Sequence, residues 1–249
     1  MFGEPAFGGT TFAELAADGW QPSLLALGDP DVDAEFLGLQ RHELDATSWV
    51  DHVPRWLSGS DVVFADLVAR VPWRTRRVVM YDRLVDEPRL TWWWQRDTGP
   101  CPIDVRVLYD IAAALTDRYG LDFDSIGCNL YRDGSDSVAW HGDRVRHAAE
   151  DPVVAIVSVG APRPFQLRPR GGGASRSFLL GRGDLLVMGG ACQHDWEHSV
   201  PKVARAGPRL SIMYRHAAPP IGTAHAAPVV SDRRVERALA AHPANRRTG

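Results

Sequence analysis

The chain has 249 residues, 45% of them hydrophobic and 24% charged, and its net charge is −3. This composition is typical of a soluble globular protein with its own core, and the small negative charge excludes an overall basic field for nucleic acid. Cys101, Cys128 and Cys192 are far apart, which argues against a disulfide framework or a thiolate zinc site. With no secretory-signal pattern at the N-terminus and no apolar stretch of membrane-spanning length, we expect a cytoplasmic protein.

Two helices are predicted in the first half of the chain. Residues 1–44 are short apolar pieces broken by Gly and Pro, and we interpret them as a loosely structured lead-in. Asp61–Val71 has helical spacing of its apolar residues and is stopped by Pro72, which predicts an amphipathic helix. Asp104–Tyr119 predicts a second helix, with Gly120 just past its end.

Short β-rich runs follow the second helix: IGCNLYR, SVAWH, VVAIVSVG, PFQLR, RSFLLG, DLLVM and RLSIMYR. Gly, Pro, Asp and Arg punctuate them, a pattern that favours an antiparallel sandwich or barrel over a βαβ sheet. From about Ala217 onward Pro, Ala and Arg dominate, which predicts a mobile tail (217–249) with a short helix at Arg233–Ala241. We therefore predict a mostly β fold with flanking helices (α+β), in which residues 45–216 form one catalytic domain with N-terminal helical support.

His141 and Asp143 are the first residues that indicate chemistry. Two residues apart on a strand, their side chains point the same way and can reach one cation. Two imidazoles and one carboxylate form the facial triad that suits non-haem Fe(II) and leaves positions open for substrate and O₂. An H-x-D pair alone is common by chance, so the prediction depends on finding a third ligand.

The candidates for that third ligand are His147, His194, His198 and His216. His147 is too close in sequence to lie on a distant strand, and His216 trails the last β run. His194 and His198 both follow the run DLLVM, and periodicity alone does not choose between them. A turn at Gly189–Gly190 followed by a new strand would place His198 in the strand and His194 in its loop, which favours His198.

Alternation along the last β run places four side chains on one face of a strand: Arg209, Ser211, Met213 and Arg215. Two arginines that point into a barrel are unfavourable unless they meet an anion. A dicarboxylate satisfies both through charge-assisted hydrogen bonds. Asn129 and Tyr131 alternate in the same way and could complete such a pocket.

Two arginine-rich stretches and a tryptophan run complete the candidates. The first stretch contains Arg70, Arg74, Arg76 and Arg77. The second, Pro162–Arg182, has no acidic residue and is predicted to be a hairpin with a GGG tip. Phosphate contact and a solvated basic face are both open for these arginines. The run Trp92–Trp94 could stack a flipped base, and only one side of such a strand can face the pocket.

Together these residues resemble the AlkB family of Fe(II)/2-oxoglutarate dioxygenases. The run from Asn129 to Asp143 resembles the N-L-Y-R…D-S-V-x-W-H-x-D motif of its repair-type members. Ala191–Lys202 resembles their distal-ligand segment, Arg209–Arg215 falls on R-x-N-x-T-F-R, and Pro88–Thr91 falls on P-R-L-T. The resemblance implies a double-stranded β-helix (jelly roll) and selects His198 as the third ligand.

By this resemblance the catalytic metal ligands are His141, Asp143 and His198. The residues implied to bind 2-oxoglutarate are Asn129, Tyr131, Arg209, Ser211 and Arg215. Those expected to contact substrate are Met80, Tyr81, Trp93, Trp94 and Arg144. Two departures matter: Ser211 stands where the family commonly has Asn, and Arg144 stands where repair members usually carry an acidic residue near the flipped base.

The resemblance also implies a function. Fe(II), 2-oxoglutarate and O₂ would support oxidative dealkylation of N-alkylated bases (1-methyladenine and 3-methylcytosine type), with release of an aldehyde. The partner would be alkylated DNA or RNA, single-stranded or with the base flipped out, and we expect a monomer without membrane association. An alternative is an oxygenase that hydroxylates a small molecule or a protein side chain, against which the arginine stretches argue. A non-catalytic nucleic-acid-binding protein is disfavoured by the intact metal and anion residues.

Overall fold

The fold is taken from a computed structural model, which describes residues 28–80, 83–143 and 151–216. The predictions for Tyr81, Arg144 and the tail 217–249 lie outside the described residues, as do residues 1–27 of the predicted lead-in. For Met80 only the backbone is described.

The described residues contain three α-helices, namely α1 (Ser60–Arg70), α2 (Val107–Tyr119) and the single turn α3 (Cys192–Asp195), and a 3₁₀ helix at Arg96–Thr98. The strands of the first half are β1 (Asp31–Val32), β2 (Gln40–Glu43), β3 (Ser48–Val53), β4 (Leu57–Ser58), β5 (Arg74–Met80), β6 (Arg83–Gln95) and β7 (Phe123–Tyr131). Those of the second half are β8 (Val138–His141), β9 (Val154–Gly160), β10 (Arg163–Pro169), β11 (Arg176–Leu180), β12 (Asp184–Gly190), β13 (Trp196–Val200) and β14 (Arg209–His216). None of the helices in these ranges has the length and apolar character that crossing a membrane would require.

Two antiparallel sheets form the body of the jelly roll. The larger sheet has eight strands in the order β2-β3-β12-β9-β14-β7-β6-β5, and the smaller has four in the order β11-β10-β13-β8. Strands β1 and β4 pair separately. One apolar cluster contains buried side chains of both sheets, with Ile156 and Met188 from the larger and Phe165 and Leu167 from the smaller. The predicted sandwich of antiparallel strands is therefore confirmed.

Helices α1 and α2 cover the outer face of the larger sheet. Phe64 and Leu67 of α1 and Leu108 and Ile111 of α2 are fully buried in one cluster with the sheet. The hydroxyl of Tyr214 on β14 donates to the carbonyl of Leu108 (3.1 Å), which ties the sheet to α2. The helices thereby fix which side of each central strand faces away from them.

Because the helices cover one face of the larger sheet, the side chains of its central strands alternate between the helix side and the opposite face. On β14, Leu210, Ile212 and Tyr214 lie in the helix-side cluster. The residues between them, Arg209, Ser211, Met213 and Arg215, line a cavity between the two sheets. The same parity holds on β7, where Asn129 and Tyr131 line the cavity. The sequence prediction that these polar side chains share one face is confirmed.

The lead-in prediction is wrong at its C-terminal part. Strand β2 lies within residues 1–44 and pairs with β3, which in turn pairs with β12 of the jelly roll. The burial pattern of β3 does not alternate, because the strand is covered on both faces, so it carries no period-2 signal. Both predicted helices are confirmed, although α2 begins at Val107; Gly120 ends it with φ 68°, a conformation that favours glycine.

Candidate active site

Three side chains that can bind one cation meet at the edge of the smaller sheet. His141 is the last residue of β8 and pairs directly with His198 of β13, with ring centroids 4.3 Å apart. Asp143 follows two residues later, outside the strand, and its Oδ1 lies 3.8 Å from Nε2 of His198. The ligand atoms of all three lie within 4.8 Å of one another. This donor set, two imidazoles and one carboxylate, fits non-haem Fe(II).

The two imidazoles are held ready to act as ligands. Nδ1 of His141 lies 2.9 Å from the carbonyl of Ala139, and a proton on Nδ1 would leave Nε2 free for a metal. His198 is 8% exposed and stacks against Phe165 at 5.4 Å. Burial lowers the pKa of His198 to about 4. At neutral pH this imidazole is therefore uncharged, which is the form that binds a metal.

Asp143 is fixed by Arg215 of β14. Nη2 and Nε of Arg215 donate to Oδ2 of Asp143 at 2.8 and 3.2 Å. Burial alone would raise the pKa of Asp143, but Arg215 and His198 outweigh it and the pKa lies below its ordinary value. The carboxylate stays ionised, with Oδ1 directed toward His198.

Arg209 is a buried cation whose terminal nitrogens are unsatisfied. The residue is 1% exposed, and Nη1 and Nη2 have no hydrogen-bond partner among the described residues. Burial lowers its pKa to about 10, and its guanidinium lies 5.2 Å from the ring of Tyr131. Burial also raises the pKa of Tyr131, which keeps its hydroxyl protonated as a donor. A carboxylate in the cavity would satisfy both groups, so the site fits 2-oxoglutarate.

These groups share one cavity of about 1100 Å³ between the two sheets. Thr91, Asn129 and Ser211 form one row across its wall on three neighbouring strands, and the fully buried Ser158 continues the row on β9 without lining the cavity. The amide of Asn129 donates to the sulfur of Met213 at 3.6 Å. Of the five residues expected to bind 2-oxoglutarate, all line the cavity.

Trp93 lines the same cavity as the three candidate metal ligands. It is 47% exposed, and its ring lies 5.0 Å from the guanidinium of Arg215. The ring also lies across Gly127, where a Cβ atom would approach the indole to 2.6 Å. A glycine is therefore required at this position for the indole to reach Arg215.

The other predicted substrate residues are not all brought together. Trp94 packs against the helix-side cluster, and its indole donates to the carbonyl of Gly99 (2.9 Å), so the prediction that it contacts substrate in the pocket is wrong.

The other described histidines considered as the third metal ligand lie elsewhere. His194 is exposed on α3. His216 accepts a hydrogen bond from the backbone of Val153 (3.1 Å). His147 lies outside the described residues.

The two arginine stretches separate into distinct roles. Arg74, Arg76 and Arg77 line the cavity, whereas Arg70 donates to the carbonyl of Asp104. The predicted hairpin is confirmed as β10 and β11, which pair around the glycine tip. Arg163 is fully buried in it and donates to the carbonyls of Asp133, Asp136 and Pro201, so it belongs to neither a basic face nor a phosphate contact.

Two contributors to the site were missed from the sequence. Phe165 stacks on His198, and the hydroxyl of Ser158 accepts a hydrogen bond from Nε of Arg209 (2.7 Å). Ser158 is the one hydroxyl in the run VVAIVSVG. A polar side chain within a buried apolar strand was the signal that could have identified it.

Comparison with known proteins agrees with this geometry. Residues 94–235 match the model of the 2OG-Fe(II) oxygenase superfamily. The chain is 34% identical over 187 residues to the alpha-ketoglutarate-dependent dioxygenase alkB homolog 3 of Bos taurus, covering 68% of this chain and 65% of that protein. Identity to the Homo sapiens protein of that name is 33% over 178 residues, covering 64% and 62%.

A more distant similarity is to the DNA oxidative demethylase ALKBH2 of Arabidopsis thaliana, 36% identical over 120 residues, covering 39% of this chain and 38% of that protein. The chain spans slightly less than two thirds of the length of the alkB homolog 3 proteins. The resemblance to the AlkB family is confirmed by these similarities.

Proposed function

Because this chain belongs to the 2OG-Fe(II) oxygenase superfamily, we propose that it removes alkyl groups oxidatively from N-alkylated bases in DNA or RNA. One observation carries the proposal. A single cavity contains the His141, Asp143 and His198 triad, the unsatisfied fork of Arg209 and the exposed indole of Trp93. The similarity to proteins named as alkB homologues and as a DNA oxidative demethylase supports it.

Two groups of residues in the cavity wall would bind the iron and the 2-oxoglutarate. The triad would hold Fe(II), and Arg209 with the hydroxyl of Tyr131 would hold the distal carboxylate of 2-oxoglutarate. Bound together with O₂, these cofactors supply the oxidising power that hydroxylates an N-alkyl carbon, and the product releases an aldehyde. Arg215 keeps Asp143 ionised and oriented throughout.

Trp93 is suited to stack a base beside the metal ligands. Arg215 lies near its ring and also binds Asp143, so the stacking surface and the metal ligand are joined through one side chain. An aromatic platform stacks any base through its π face. The exposed part of this indole is therefore where we place the base, and the base must be unstacked to reach it.

Positively charged side chains among the cavity-lining residues could contact the phosphate backbone of a nucleic acid. Arg74 and Arg76 are exposed and line the cavity, and neither forms an ion pair with a described residue. Arg77 is paired with Asp86 at 3.0 Å. A local pair of free guanidinium groups can contact phosphates even though the chain carries a net charge of −3.

The proposal is tested with oligonucleotides that contain 1-methyladenine or 3-methylcytosine, incubated with Fe(II) and 2-oxoglutarate and read by mass spectrometry. Single- and double-stranded DNA and RNA are compared. We expect loss of the methyl group, and no loss without 2-oxoglutarate or with Asp143→Ala. If the unmodified protein removes no methyl group from any of these strands, the proposed function is wrong.

A further inference from the structure

Ser158 and Arg209 form a buried pair on neighbouring strands, of which Arg209 lines the cavity and Ser158 does not. Nε of Arg209 donates to Oγ of Ser158 at 2.7 Å, and the two residues are 0% and 1% exposed. Directly opposite Arg209 on β9 lies Gly160, which has no side chain. The hydroxyl two residues earlier on β9 is thus the one that reaches the guanidinium.

This hydrogen bond constrains the orientation of a planar group. A guanidinium presents its donors in a rigid fork, so fixing Nε on one side also fixes the direction of Nη1 and Nη2. The ring of Tyr131 packs near the same guanidinium at 5.2 Å and limits its movement out of plane. Among the described residues the two terminal nitrogens have no hydrogen-bond partner within bonding distance, and they are held ready for an incoming carboxylate.

We infer that Ser158 is a positioning residue for co-substrate binding, one that sets both the affinity for 2-oxoglutarate and the selectivity for its chain length. The inference rests on the proposed use of Arg209 as the anchor of the distal carboxylate. The opposite end of the co-substrate would bind at the metal triad, so the distance between the guanidinium of Arg209 and the triad sets the length of dicarboxylate that fits. A longer dicarboxylate such as 2-oxoadipate fits only when the fork can move.

The contribution of Ser211 is different, although it is the direct neighbour of Ser158 across the strand pair. Ser211 is 4% exposed and lines the cavity, but the hydrogen bond from Nε of Arg209 goes to Ser158. Because Ser211 lines the cavity, its hydroxyl can contact the co-substrate itself. Loss of Ser211 should weaken both dicarboxylates equally, whereas loss of Ser158 should change their ratio.

The test is titration calorimetry of the full chain loaded with Mn(II), with 2-oxoglutarate and 2-oxoadipate as ligands. Ser158→Ala should weaken 2-oxoglutarate binding about tenfold, since a hydrogen bond to a charged group is lost. The preference for 2-oxoglutarate over 2-oxoadipate should fall. At saturating 2-oxoglutarate the turnover number should change by less than about twofold, because only co-substrate binding is affected.

A matched control is Ser48→Ala. Ser48 is a buried serine on β3 of the same sheet, its hydroxyl has no hydrogen-bond partner among the described residues, and it does not line the cavity. This variant should bind both dicarboxylates like the unmodified protein. Ser158→Cys, which keeps a similar shape but has a weaker acceptor, should give an intermediate loss and serves as the measurement if the alanine variant does not fold.

A thermodynamic cycle separates positioning from a direct contact. In an Arg209→Lys background, which keeps a cation for the carboxylate but has no planar fork for Ser158 to orient, Ser158→Ala should leave the affinity for 2-oxoglutarate unchanged. An equal loss in both backgrounds would show that Ser158 acts independently of Arg209 and would overturn the inference. An unchanged affinity and selectivity in Ser158→Ala would overturn it as well.

The outcome is separable from that of the proposed function. Binding of 2-oxoglutarate needs no nucleic acid, so a failure to dealkylate any oligonucleotide would reject the nucleic-acid substrate and leave the role of Ser158 standing. If the unmodified protein loaded with Mn(II) does not bind 2-oxoglutarate at all, both are wrong.

Discussion

Replacing Arg209 by methionine should stabilise the protein without co-substrate while removing most of its affinity for 2-oxoglutarate. The guanidinium is buried, and its two terminal nitrogens have no hydrogen-bond partner among the described residues. Burial lowers its pKa to about 10. This value lies more than two pH units below that of an ordinary arginine, and one pH unit corresponds to about 1.4 kcal/mol, so keeping this side chain charged costs about 3 kcal/mol.

Part of that gain is offset by contacts that the methionine variant loses. The hydrogen bond between the charged guanidinium and Ser158 is worth about 1.5 kcal/mol, and the contact with the ring of Tyr131 contributes about 0.5 kcal/mol. The net expectation is a stabilisation of about 1 kcal/mol, or about 2–4 °C in melting temperature for a domain of this size.

The assay is thermal unfolding with Mn(II), in the absence and presence of 2-oxoglutarate. The unmodified protein should gain stability with ligand concentration, and Arg209→Met should melt higher alone but show almost no ligand shift. Arg163→Met is the matched control, because that buried arginine donates to three carbonyls and its loss should destabilise by about 3 kcal/mol. A methionine variant that melts lower than the unmodified protein and keeps the full ligand shift would refute the reasoning.

Three further predictions follow from the site and its surroundings. His141→Ala or Asp143→Ala should abolish 2-oxoglutarate turnover, measured as succinate release, with the unfolding transition retained; persistent turnover would contradict the ligand assignment. Trp93→Ala should weaken binding of a single-stranded oligonucleotide about 5- to 100-fold in fluorescence anisotropy, as loss of one stacking platform predicts, and unchanged binding would remove the platform role. The hydrogen bond from Trp196 (2.6 Å), with those from neighbouring groups, overcomes the effect of burial and lowers the pKa of Asp45 to about 2. A lowered folded-state pKa stabilises the fold above about pH 4, and that stabilisation is lost as the pH falls toward about 2. In Asp45→Asn the urea midpoint of unfolding should therefore decrease less between about pH 4 and about pH 2 than it does in the unmodified protein. An identical pH dependence in the two proteins would argue against this role of Asp45.

The strand alternation of the second half could be predicted from sequence because the helices cover one face of the larger sheet. Arg209 and Arg215 were expected on one face of a strand, and the structure places them there. Their partners could not be predicted. Arg215 binds the candidate metal ligand Asp143, which lies two residues after β8 and far from β14 in the sequence, and no local pattern encodes that meeting of distant segments.

Strand alternation alone could not predict which tryptophan of the run Trp92–Trp94 faces the cavity. Alternation requires that Trp93 and Trp94 face opposite sides, but it does not say which side is the cavity. The pairing of Trp93 with Gly127 on β7 settles this, and it depends on a register set by nonlocal contacts. In the same way Arg163 looked like part of a basic hairpin, and only the fold shows that three backbone carbonyls surround it.

Strand β3 could not be predicted from its own sequence for a different reason. Its sequence, SWVDHV, contains a buried aspartate, and its burial pattern has no alternation. Asp51 is accommodated because Arg41 donates to both of its carboxylate oxygens and Tyr119 donates to one of them. Those partners lie on β2 and α2, so the signal that makes this segment a strand is spread over the chain.

The stoichiometry of succinate and formaldehyde tests the central claim most directly. The full chain is incubated with Fe(II), 2-oxoglutarate and a single-stranded oligonucleotide that carries one 3-methylcytosine, and both products are quantified in the same reaction. We predict formaldehyde release that depends on 2-oxoglutarate and on Asp143, with one succinate for each formaldehyde once turnover without substrate is subtracted. Succinate release that is unchanged by the methylated strand, with no formaldehyde, would contradict the assignment of N-alkylated bases as the substrate.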